Sequence, residues 1–122
     1  MDLRVRPFTL ALTFTVVGAL TVWPSSTAVA VPRCLGKPAT IVGTPGNDTL
    51  VATNGNDVIV AGGGDDMIRA RGGRDRICAK GGADTMRGGP GNDRMDGGFG
   101  PDVFFGDDGS DWAMYPSRVT KV

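Results

Sequence analysis

The 122-residue chain balances 13 lysines and arginines against 13 aspartates, and it has neither glutamate nor histidine. A formal net charge of zero gives no bulk attraction to nucleic acid or to a membrane surface. Without histidine there is no imidazole base and no histidine-containing triad. Twenty glycines and few large apolar side chains exclude a broad core, and a domain this small often needs metal ions or disulfides to fold.

In chain order, Arg4 and Arg6 precede an almost wholly apolar run from Phe8 to Val22, and Ala28, Val29 and Ala30 follow a short Pro/Ser/Thr stretch. A charged start, an apolar core and a small-x-small site predict a secretory signal peptide over residues 1–30, cut after Ala30. The alternative is an uncleaved anchor. The apolar run is shorter than the roughly 20 residues a spanning helix requires, which favours removal and no stable membrane span after processing. The chain is then read as secreted, with residues 31–42 as an N-terminal covering segment.

Cys34 and Cys78 make an even cysteine count in an exported chain, which predicts a disulfide, with free thiols or an intermolecular link as the alternative. Two lone cysteines without histidine do not make a zinc site.

From residue 43 to residue 114 the chain repeats every nine residues. Aspartates stand at Asp48, Asp57, Asp66, Asp75, Asp84, Asp93, Asp102 and Asp111, each two residues after a glycine. Two residues after each aspartate comes Leu50, Ile59, Ile68, Ile77, Met86, Met95, Phe104 or Ala113. A fixed short period signals a stacked repeat. In the unit from Gly88 to Asp96 the first six residues carry turn chemistry. The last three alternate, so Met95 faces inward and Arg94 and Asp96 outward on a very short strand. One repeat is a turn plus a strand, and two repeats make one coil of a two-sided spiral.

The unit resembles the G-G-x-G-x-D-x-U-x nonapeptide of RTX, or haemolysin-type, calcium-binding repeats, which Gly97 to Phe105 match at every position. The resemblance implies an all-β fold, a right-handed parallel β-roll (β-helix) of about eight repeats in four coils. It also implies calcium held between coils by aspartate carboxylates and backbone carbonyls, oxygen ligands that suit calcium. Stack neighbours are then 18 residues apart. One column holds Asp48, Asp66, Asp84 and Asp102, and the other holds Asp57, Asp75, Asp93 and Asp111. Three gaps on each side allow at most six interior ions. The competing reading is that the aspartates only cap turns, a role that Asn or Ser would fill equally well.

The middle repeats depart from the motif. Its first position is Ala52, Ala61, Ala70 and Ala79, its second is Arg71 and Lys80, and Arg74 precedes Asp75. If both positions require positive φ, these residues are strained there. The gaps involving Asp75 and Asp84 are therefore expected to bind most weakly.

On the outer faces, Arg69 is expected beside Arg87 and Arg76 beside Arg94. Such ladders suit either an anionic cell-surface polymer or plain solubility of an exposed sheet. Cys78 points outward, so Cys34 reaches it only if residues 31–42 run along the outside of the roll. Phe99, Phe104, Phe105, Trp112 and Tyr115 crowd the C-terminal end and are read as a terminal cap, or else as a dimer contact or ligand patch. Residues 115–122 are expected to be a mobile tail. The functional expectation is a secreted calcium-ion-binding protein whose folding is coupled to the metal. The alternative is an adhesin-like surface module that uses the roll as a scaffold. Neither reading is enzymatic: the serines have no base near them, and the carboxylates form a lattice rather than a pocket.

Overall fold

Only three of every nine residues are free of turn chemistry, so the strands are very short. The computed structural model describes residues 28–116 and 118–122, the side chains of 118–121 excepted. Most of the expected signal segment, residues 1–27, lies outside the described residues. Three short elements open the fold: β1 (Arg33–Cys34), β2 (Lys37–Pro38) and β3 (Ile41–Val42). The repeats supply β4 (Thr49–Val51), β5 (Val58–Gly62), β6 (Met67–Arg69), β7 (Arg76–Lys80) and β8 (Thr85–Arg87). They continue with β9 (Arg94–Asp96), β10 (Val103–Phe105) and β11 (Trp112–Tyr115), and β12 (Arg118–Lys121) closes the chain.

Alternate strands go to alternate sheets. The four-stranded sheet runs β4-β6-β8-β10 and the six-stranded sheet β3-β5-β7-β9-β11-β12. Every pairing between repeats is parallel and in register at 18 residues, as in Leu50 to Ile68 to Met86 to Phe104. The opposite column runs Ile41, Ile59, Ile77, Met95 and Ala113. Residues Val31–Val122 thus form a parallel β-solenoid of four coils.

The core is one side chain thick per sheet. Ile59, Ile68, Ile77, Met86 and Met95 are fully buried in it, with Ala52, Ala61, Ala70 and Ala79 filling the corners. These alanines correct one expectation. None has a positive φ, so the first motif position demands a small side chain rather than glycine's backbone freedom. The second position takes left-handed backbone from Gly62 onward, Arg71 (φ 74°) and Lys80 (φ 87°) included, but not at Thr44 and Thr53 in the first coil.

The opening segment lies on the outside of the six-stranded sheet. β1 and β2 form an antiparallel hairpin through Leu35 and Gly36, both at positive φ, the geometry that matches strand twist in a two-residue turn. Cys34 is joined to Cys78 in a disulfide, and the pair packs with Val60, Leu35, Ala39 and Val58. Val60 and Cys78, outward by pattern, are therefore buried.

The C-terminal end differs from expectation. Rather than a free tail, β12 lies antiparallel to β11 and covers that edge of the larger sheet. The aromatic residues divide. Phe104 meets Tyr115 edge-on at 5.1 Å between ring centroids and plugs the end of the core, while Phe99, Phe105 and Trp112 face solvent.

Candidate metal centre

The turns hold the aspartates through two requirements on position four of the motif. Gly82 (φ 127°) and Gly91 (φ 146°) adopt a backbone that L-residues avoid. A Cβ on either would also collide with the carbonyl oxygen of Gly64 or Gly73 in the preceding coil. The peptide carbonyls of successive coils therefore stack against glycine and line the gap between coils.

Each aspartate from the second coil onward spans that gap. The backbone N–H of Asp48 donates to Asp66 Oδ1 (2.8 Å), Asp66 to Asp84 (2.8 Å) and Asp84 to Asp102 (3.1 Å). On the other side Asp57 donates to Asp75 (2.7 Å), Asp75 to Asp93 (2.8 Å) and Asp93 to Asp111 (2.9 Å). In all six receiving carboxylates the second oxygen, Oδ2, is buried and has no hydrogen-bond partner. Each of the six gaps is thus bridged by one carboxylate with an orphaned oxygen, which in Asp93, Asp102 and Asp111 faces the first glycine of its own turn. Among the described residues no three carboxylate or thiolate groups converge on a point. What each gap offers is an aspartate from either coil and backbone carbonyl oxygen.

The electrostatics are unfavourable as they stand. Burial pushes the Asp75 and Asp93 carboxyls up to about 6, against a partial offset from the amide each accepts and with added repulsion from their stack neighbours. Asp66, Asp84 and Asp102 are raised for the same first reason, desolvation. A buried unsatisfied polar atom costs about 1–3 kcal/mol, more when charged. Six of them rival the roughly 5–15 kcal/mol that keeps a domain folded. Ionised and unligated, the columns oppose the fold.

Asp48 and Asp57, the first of each column, are held differently. Thr44 donates its N–H (2.6 Å) and its hydroxyl to the Asp48 carboxylate, and Thr53 does the same for Asp57 (2.9 and 2.7 Å). Each threonine Oγ1 also accepts from a turn amide, Gly46 or Gly55. Their carboxylate oxygens are not among the orphans. The far end is closed through carbonyls. Each aspartate carbonyl accepts from the strand amide one coil on, as with Trp112 N–H to Asp93. Asp102 and Asp111 have no such coil beyond them, and Tyr115 Oη (3.2 Å) and the Val122 N–H (3.1 Å) take their place.

Sequence reasoning also missed a second ladder at the fifth motif position. The Oδ1 atoms of Asn47, Asn56, Asp65 and Asn92 accept from the amides of Asp65, Arg74, Ala83 and Ser110. Ala83 has no acceptor to offer, and the residue above it is Pro101, which has no N–H to donate. The Asn and Asp residues just before the repeat aspartates were the available signal.

The sequence model of the RTX calcium-binding nonapeptide repeat (4 copies) matches residues 42–77 and 79–113. That is more than half of the chain, and the protein belongs to this family. The repeat is a structural calcium-binding unit rather than a catalytic one. No curated protein and no solved structure matched. The donor set fits the ion the family implies: stacked carboxylates, each with an orphaned buried oxygen, beside peptide carbonyls are what a hard, oxygen-seeking cation requires.

Proposed function

We propose that the chain is a secreted calcium-binding protein that takes up to six ions, one in each gap between coils, and that ion binding and ordering of the solenoid are one event. The observation that carries this reading is the set of six partnerless Oδ2 atoms on Asp66, Asp75, Asp84, Asp93, Asp102 and Asp111. Asp48 and Asp57 complete the two columns as the neighbouring carboxylates of the first gaps. Calcium supplies the positive charge the columns lack; the chain supplies the spacing, the dry walls and the carbonyls. The site barely exists in an extended chain, so affinity for the ion appears as folding free energy.

Extracellular modules work with weak sites, on the order of 10⁻⁴–10⁻³ M. Such affinities would leave the chain extended where calcium is scarce and fold it outside the cell. Removal of residues 1–30 on export belongs to the same reading. The gaps with Asp75 and Asp84 are the weakest, because Arg71 and Lys80 in their turns hold strained backbone. Isothermal titration of the metal-stripped chain tests the proposal. Six or fewer calcium ions per chain, taken up together with a gain of β signal, would support it, and uptake without ordering would refute the coupling.

A further inference from the structure

Beyond calcium, the outer face of the six-stranded sheet carries a second feature. The fifth-position column Arg74, Asn92, Ser110 runs beside the seventh-position column Arg76, Arg94, Trp112. Between them lies an open groove of about 320 Å³ lined by Arg74, Asn92, Arg94, Ser110 and Trp112. A smaller recess of about 70 Å³, lined by Arg74, Arg76, Asn92, Arg94 and Asp75, adjoins it. Arg74 and Arg94 are exposed, and among the described residues no carboxylate lies within ion-pair distance of either. The other arginines named from the ladder pattern are engaged or lie on the other sheet. Arg87 pairs with Asp107 at 2.8 Å and lies over the Phe105 ring, Arg76 donates to the Leu35 carbonyl, and Arg69 stands on the opposite sheet.

We propose that this groove binds an acidic polysaccharide, with Arg74 and Arg94 taking its anionic groups and Trp112 its sugar face. An exposed indole, 44% accessible, beside two guanidinium groups joins an apolar platform to charge-assisted donors. Asn92 and Ser110 add neutral hydrogen-bonding groups of the kind hydroxyls need. Successive strands lie about 4.8 Å apart, so the coils that line the groove set Arg74, Arg94 and Trp112 out along the solenoid axis, an arrangement suited to an extended polymer. Nucleic acid fits less well, since the chain has no net positive charge and the groove offers a single aromatic platform.

The test uses isotope-labelled, calcium-saturated protein titrated with a hexasaccharide that carries one carboxylate per disaccharide. A neutral glucose hexasaccharide and a single-stranded oligonucleotide run in parallel. The charged sugar should move the Trp112 indole N–H and the amides around Asn92 and Ser110. Replacing both arginines, Arg74→Ala with Arg94→Ala, should weaken binding about tenfold or more, while Arg69→Ala leaves it unchanged. Mapping on the parent protein needs no variant, and equal calcium-induced β signal shows that each variant folds. No binding of the acidic sugar, perturbations elsewhere, equal binding of the neutral sugar or tighter binding of the oligonucleotide would each overturn the proposal. Calcium uptake is read in the same samples, so failure there is seen separately.

Discussion

Asp93 accepts the backbone N–H of Asp75, eighteen residues earlier, through one carboxylate oxygen at 2.8 Å and leaves the other buried without a partner. The same half-satisfied arrangement recurs in every gap. It separates the six aspartates with an unpartnered oxygen from Asp48 and Asp57, whose carboxylates are already held by threonine. Asp93→Asn keeps the side-chain shape and an acceptor for the Asp75 amide but removes the charge. It should raise the midpoint of the calcium titration about tenfold, since ligand charge sets affinity in such sites. Asp48→Asn, at a carboxylate already satisfied by Thr44, should move it far less; equal effects in a circular dichroism titration would contradict the distinction.

The threonine caps carry their own expectation. Thr53→Val preserves shape and β-branching but deletes the hydroxyl between Asp57 Oδ2 and the Gly55 amide. A hydrogen bond to a charged group is worth about 1.5–3 kcal/mol. The denaturation midpoint in saturating calcium should fall accordingly, and an unchanged midpoint would show the cap to be idle.

Acidity should act on the metal-free chain in the opposite sense to its usual effect on proteins. Asp75 and Asp93 titrate near 6 in the fold and near 3.9 when unfolded, because burial disfavours their charged form. Raised folded-state values mean that the fold binds more protons than the unfolded chain between those limits. The stability they contribute is complete below about pH 4 and is lost as pH rises through about 6. Asp66, Asp84 and Asp102 shift in the same direction. In chelator, β structure should therefore be greater at pH 4 than at pH 7.5, while calcium affinity rises over the same interval as protons leave. Circular dichroism across that range checks both; metal-free order that grows with pH would contradict the assignment of burial as the cause.

The disulfide should matter most for the first two coils. It closes a loop spanning 44 residues and ties the outer hairpin to β7. Loop-closure entropy gives about 4 kcal/mol. Reduction in saturating calcium should lower the urea midpoint to match, and an unmoved midpoint would mean that the hairpin is held by packing alone.

Arg71→Gly and Lys80→Gly should each stabilise the calcium-loaded fold by up to about 1 kcal/mol, against the usual direction of a glycine substitution. Both positions already hold left-handed backbone, where a side chain is penalised, although glycine's freer unfolded chain takes back part of the gain. Thermal unfolding of the two variants measures this, and destabilisation of both would show that the side chains contribute contacts outweighing the strain.

The interior of the solenoid was legible from the period together with the family resemblance it carries. Two nine-residue repeats per coil put Asp75 over Asp57 and Ile77 over Ile59, and the outward position of Cys78 put its partner Cys34 on the outer face. What remained hidden lies where the period breaks. The first coil has no predecessor, so Thr44 and Thr53 replace its missing amides. The last has no successor, so Tyr115 and Val122 replace missing strands. Neither substitution follows from the repeat, because each answers a vacancy that only the stacked structure creates. The alanines at the first motif position misled for a related reason. A consensus glycine can mark a need for φ or a need for space, and only the backbone distinguishes them.

The central claim meets its most direct test in a calcium titration of the fully chelated chain at neutral pH, followed by circular dichroism. The account predicts little β signal without the ion and a cooperative gain as calcium is added, reversed by chelator. A chain equally ordered before and after exhaustive chelation would contradict it.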